Sequence, residues 1–107
     1  MSSTFELVRG HTEAIILSYL NQSDSYGYQI NKDIMQATDG LFELKEATLY
    51  TAFRRLEETG LITSYWGKES VGARRRYYSI TNVGRQAYGK YRQEWESSKN
   101  ILDKLIK

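Results

Sequence analysis

At 107 residues, with 40% apolar and 26% charged side chains, the chain can close one modest core, which excludes multidomain machinery and a disordered tail. It has no cysteine, no proline and a single histidine, His11, so disulfides, thiolate chemistry and most metal or triad sites lack their residues. The formal charge of +2 is small, and no window nears the roughly 18 consecutive apolar residues of a spanning helix. With Glu6 near its start and no basic lead, the chain does not open like a signal peptide, and a cytoplasmic protein without cofactor or metal is expected.

Residues from about Phe5 to Leu20 carry apolar side chains nearly all round the helical wheel, among them Val8, Ala14, Ile15, Ile16, Leu17, Tyr19 and Leu20. This predicts one buried helix. After the polar turn Asn21 to Ser25, Ser25 is a candidate N-cap for a second helix with Tyr26, Ile30 and Ile34 at four-residue spacing, stopped by Asp39-Gly40. A third helix runs from about Lys45 to Thr59, where Gly60 suits the left-handed position and Leu61 can fold back on Leu56. Its wheel puts Leu49, Ala52, Phe53 and Leu56 on one face and Ala47, Thr51, Arg54 and Glu58 opposite, with Thr48 and Arg55 on one flank and Tyr50 on the other.

Ile62 to Lys68 and Arg74 to Ile80 read as two short strands joined by Glu69-Ser70-Val71-Gly72-Ala73, a hairpin. Thr81 then caps a long final helix in which Tyr88, Tyr91, Trp95, Ser98, Leu102 and Leu105 recur at alternating steps of three and four. The expected fold is mainly α with a small β-hairpin: a winged helix-turn-helix over residues 1–80 and a C-terminal dimerisation helix over 81–107, in one compact domain.

Charge is distributed unevenly. Residues 1–44 hold two basic against six acidic side chains, a net −4, whereas residues 45–76 hold seven against four, a net +3. In a winged helix-turn-helix the third helix enters the DNA major groove and the hairpin touches flanking backbone, so the basic segment coincides with the surface that such a fold presents. Arg54 has the fork that pairs with guanine, and Ala47 or Thr48 can offer a methyl to thymine. The expected DNA-binding residues are Ala47, Thr48, Tyr50, Thr51, Arg54, Arg55, Arg74, Arg75 and Arg76; strand alternation sends Arg75 to one side and its neighbours to the other. Glu57 and Glu58 are expected to be solvated, and Tyr77 and Tyr78 to fill cross-strand pairs.

A seam of a few turns left over after the first three helices close a core points to a second copy of the chain, with Tyr88, Trp95, Leu102 and Leu105 as dimer contacts. Trp95 beside Tyr91 and the small Ser98 can leave a flat aromatic gap where a planar compound stacks, for which Trp95, Tyr91, Val8, Ile15 and Lys99 are the candidate lining; simple dimer anchoring by Trp95 is the alternative. His11 lies in an apolar stretch and reads as a core or interface residue. No Gly-x-Ser-x-Gly elbow or phosphate-cradling loop accompanies it, so enzyme activity is not expected.

Several stretches together resemble the PadR family of bacterial transcriptional regulators, particularly short members of the type of the lactococcal multidrug-resistance regulator. They are Tyr26-Gly27-Tyr28-Gln29-Ile30, Glu46 to Thr51 continuing through Arg54-Arg55-Leu56-Glu57 to Gly60-Leu61-Ile62, Ser64-Tyr65-Trp66-Gly67, and Gly72 to Tyr78 followed by Ile80-Thr81 and Gly84. The resemblance implies a homodimeric repressor on an inverted-repeat operator, its final helix pairing with the partner's first helix. It also implies a drug site between paired tryptophans at the position of Trp95. Those relatives carry a carboxylate one turn later, where this sequence has Lys99. Two other readings stay open: a winged-helix module that docks a protein without touching DNA, and a repressor with no ligand site.

Overall fold

The computed structural model describes residues 3–68, 72 and 74–107. Its elements are α1 (Ser3–Arg9), α2 (Thr12–Gln22), α3 (Gly27–Ala37), α4 (Glu46–Glu58), β1 (Ile62–Trp66), β2 (Arg76–Ile80) and α5 (Asn82–Leu105). The single helix expected over 5–20 is two. Gly10 is a poor helix former, the His11 amide bonds back to Val8 O at 2.9 Å in a tighter turn, and the Thr12 hydroxyl donates to Arg9 O at 2.7 Å. Together these end α1 and redirect the chain into α2.

Ser25 is not the cap of the next helix. Its amide and carbonyl are taken by Tyr78 of β2, at 3.2 and 2.8 Å, so the N-cap falls to Tyr26, which makes no side-chain cap. Pairing with a strand satisfies both backbone groups of Ser25 at once, which a cap does not. At the other end Asp39 and Gly40 both adopt positive φ and stop α3 as expected. Asn31 then braces the α3–α4 connection by bonding both backbone groups of Leu44 at 2.8 Å.

The end of α4 closes as its residues require. Gly60 has φ of 78°, its amide bonds Glu57 O at 3.1 Å, and the Leu61 amide reaches Leu56 O at 2.9 Å, the two bonds of a Schellman motif. The strands are shorter than the sequence suggested, although the Gly67 amide still bonds Arg75 O at 2.7 Å beyond their ends. Of the connection, Gly72 has φ of 81°, and Glu69, Ser70, Val71 and Ala73 lie outside the described residues.

The core draws Ile16, Leu17 and Leu20 from α2, Ile30 and Ile34 from α3, Leu49, Ala52, Phe53 and Leu56 from α4, and Ile62, Tyr78 and Ile80 from the hairpin. Burying a side chain of this size contributes about 1.5–3 kcal/mol before entropy is counted. Phe53 stacks on Tyr78 at 3.9 Å between centroids, which locks the hairpin against α4. The Thr81 hydroxyl accepts from the Gly84 amide at 3.0 Å and starts α5. At 1.5 Å per residue α5 is roughly 36 Å long, and its far turns extend beyond the core in a molecule measuring 55 × 32 × 20 Å. Among the described residues no helix is long and apolar enough to cross a membrane.

Candidate nucleic-acid interface

With its apolar stripe buried, α4 turns Ala47, Thr51, Arg54 and Glu58 outward. Thr48 is half-buried and Arg55 exposed on the flank towards α2, where the Arg55 Nε lies 3.4 Å from a Glu13 carboxylate oxygen. Tyr50 lies on the opposite flank, edge-on to Phe53 at 5.7 Å. Its hydroxyl closes on Gly27 of α3, where a Cβ would meet it at 2.9 Å, so glycine is what permits this approach of the two helices. Among the described residues Arg54 has no ion pair and no side-chain hydrogen bond. It stands at the middle of the exposed face.

The hairpin register pairs Trp66 with Arg76 and Tyr65 with Tyr77, which separates the wing into two faces. Arg74 and Arg76 lie over the Trp66 ring, 5.6 and 5.5 Å from its centroid, and Arg75 lies over Tyr26 at 4.8 Å, the opposite direction. The tyrosines occupy cross-strand pairs: Tyr65 stacks on Tyr77 at 5.6 Å and donates its hydroxyl to Asp24 at 2.6 Å. That hydrogen bond holds the Tyr65 phenol protonated above its ordinary range. Lys68 is exposed at the hairpin end.

Glu57, expected in solvent, is only partly solvated. It accepts from the Ser64 hydroxyl at 2.6 Å and lies 3.6 Å from Arg76, whose guanidinium also donates to Ser64 at 2.8 Å. The register explains the difference, because Ser64 and Arg76 share the hairpin face that turns towards α4.

A second region is aromatic. Between α1, α2 and α5 an open cleft of about 290 Å³ is lined by Val8, Ile15, Tyr91 and Trp95, together with His11, Ser18, Tyr88 and Arg92. Four of the five candidate ligand residues therefore meet in one place; Lys99, a turn further along α5, is exposed and does not line it. His11 shares a hydrogen bond with the Tyr91 hydroxyl and sits edge-on to Trp95 at 5.3 Å. Burial, with Glu94 second, pushes the Tyr91 phenol up. Tyr88, placed in the seam by its spacing, packs against its own core and bonds Ser18 at 3.2 Å. Trp95, Leu102 and Leu105 remain 41, 48 and 74% exposed.

Sequence reasoning missed Glu13, Ser64, Tyr26 and Arg92 as neighbours of these sites. Their signal is cross-element packing, which no local periodicity carries.

Comparison with known proteins agrees with this geometry. Residues 16–90 match the family described as transcriptional regulator PadR-like. A transcriptional regulator from Clostridium thermocellum shares 47% identity over all of this chain and 99% of its own, with a TM-score of 0.87. PadR family regulators from Clostridium difficile and Eggerthella lenta are also similar. The first is 36% identical over 91% of this chain and 99% of its own, TM-score 0.79. The second is 30% identical over 99% of this chain and 90% of its own, TM-score 0.85. Because the family match takes in core, α4 and wing together, and the Clostridium thermocellum likeness extends over the whole sequence, this chain belongs to the PadR-like family of transcriptional regulators.

Proposed function

We propose that the chain is a homodimeric cytoplasmic repressor that reads an inverted-repeat operator with the first turns of α4 and is released by a planar aromatic effector. Ala47, Thr48, Tyr50, Thr51 and Arg54 meet base edges, and Arg74 and Arg75 meet phosphate, while Glu13 holds Arg55 back from it. The observation that carries the reading is Arg54, without a protein partner among the described residues, at the centre of the exposed α4 face beside a cationic wing. The exposed Leu102 and Leu105 end of α5 supports pairing with a second copy, which sets two reading helices on half-sites about 34 Å apart.

An effector in the Trp95 cleft acts by population shift, because it binds more tightly to a dimer whose helix spacing does not fit the operator. The test is binding of the purified protein to its own upstream DNA across salt concentrations. Affinity falls steeply with salt, and Arg54→Ala costs about 1–3 kcal/mol on the operator while binding to unrelated DNA changes much less. Absent or salt-independent binding overturns the reading.

A further inference from the structure

We infer that Glu57 sets the strength and salt dependence of DNA binding by the reading head: it holds Arg76 against α4 and withholds that cation from the DNA backbone. The inference rests on the proposed DNA binding and adds to it an internal competitor for phosphate. The geometry is a closed triangle. Glu57 accepts a hydrogen bond from the Ser64 hydroxyl at 2.6 Å and faces Arg76 at 3.6 Å, and Arg76 donates to Ser64 at 2.8 Å. Trp66 covers the same guanidinium at 5.5 Å from its centroid. Arg76 is thus engaged by a carboxylate, a hydroxyl and a ring face, all from its own chain.

Position makes the pairing consequential. Glu57 lies three residues after Arg54, so its carboxylate stands one turn from the group that reads bases, on the flank facing the wing. Register turns Arg76 inward to that flank, while Arg75, its neighbour, faces Tyr26 at the start of α3. The three consecutive arginines therefore do not act as one cationic block. Every phosphate contact strengthens binding to all sequences alike and adds about 0.9 to the slope of log affinity against log salt. Pairing Arg76 with Glu57 at the surface removes one such contact, which lowers affinity for every duplex and leaves the base-reading contacts of α4 as they are. The ratio of operator to random binding is unchanged, because the withheld contact is common to both.

Fluorescence anisotropy on the upstream duplex and on a scrambled duplex of equal composition tests this over a salt series, with the unaltered protein, Glu57→Gln, Arg76→Ala and the double variant. Glutamine keeps an acceptor for Ser64 and deletes the charge. Glu57→Gln is expected to tighten binding to both duplexes several-fold, steepen the salt slope by about one and leave the operator-to-scrambled ratio unchanged. Arg76→Ala is expected to leave the slope of the otherwise unaltered protein unchanged and to abolish the gain from Glu57→Gln in the double variant. A Glu57→Gln protein that loses stability with no change in slope overturns the inference, because Glu57 then only braces the wing.

The inference is overturned if Arg76→Ala alone lowers the slope by about one, or if the Glu57→Gln gain survives in the double variant, which makes it simple loss of repulsion. Should Glu57→Gln not fold, Glu57→Ala takes its place: a steeper slope that Arg76→Ala abolishes upholds the inference, and an unchanged slope overturns it. Failure of the unaltered protein to bind either duplex overturns the DNA-binding reading itself, and this inference with it.

Discussion

Arg55 Nε lies 3.4 Å from the Glu13 carboxylate, a bridge from the reading helix to the first turn of α2, the helix whose other side lines the aromatic cleft. Both side chains are substantially exposed, so the pair contributes less than about 1 kcal/mol to stability. Glu13→Gln is therefore expected to leave the urea midpoint nearly unchanged while freeing Arg55 to meet phosphate and steepening the salt dependence of DNA binding. Parallel denaturation and binding series check both parts.

Gly84 is a site of much larger effect. A Cβ there would sit 2.7 Å from Ile80 Cγ1 and closer still to the Leu61 carbonyl, a backbone group that cannot swing aside. Gly84→Ala is expected to destabilise the fold by about 1–3 kcal/mol or more, from overpacking at the start of α5, despite the better helix propensity of alanine. Chemical denaturation measures it, with Gly89→Ala as the control, since nothing lies within 4 Å of a Cβ at Gly89.

Leu102 and Leu105 are 48 and 74% exposed on the distal turns of α5. Leu102→Glu with Leu105→Glu is expected to convert the proposed dimer to a folded monomer, because the substituted side chains leave the intrachain core untouched. Sedimentation equilibrium gives the mass, and circular dichroism shows whether the helices persist.

Trp95 lines the cleft and Trp66 lies under the wing arginines. Titration with a planar aromatic dye is expected to quench the fluorescence of a Trp66→Phe variant and to leave that of a Trp95→Phe variant unchanged. Equal quenching of both variants would place the dye elsewhere.

Burial raises the phenol pKa of Tyr78, Tyr19 and Tyr91, and a hydrogen bond to Asp24 that of Tyr65. A raised pKa in the folded state means that the unfolded chain ionises first. Stability from these groups is intact below pH of about 10 and is lost as pH climbs through and beyond it. Urea midpoints between pH 9 and 11 should fall, and Tyr78→Phe should make that fall shallower.

The helix periods, the Gly60 stop, the Thr81 cap and the inward face of α4 were legible because each depends on residues within a few positions of one another. Arg54 and Thr51 were legible as outward groups for the same reason. The break at Gly10 and His11 was hidden by apolar residues on both sides, which satisfy a helical wheel whether or not the axis continues. Ser25 misled because its suitability as a cap is local, and its actual partner, Tyr78, lies 53 positions away.

By itself the sequence determined the element order, the buried stripe, the basic middle segment and the unburied apolar end of the last helix, all consequences of spacing along the chain. Only the tertiary structure decided which charges act. Arg55 and Arg76 look like Arg54 in sequence, yet Glu13 and Glu57 approach the first two through packing between elements and leave Arg54 aside. Two of the charge pairs of the chain form only across the fold. Distance in space, not distance in sequence, sets the strength of a charge interaction.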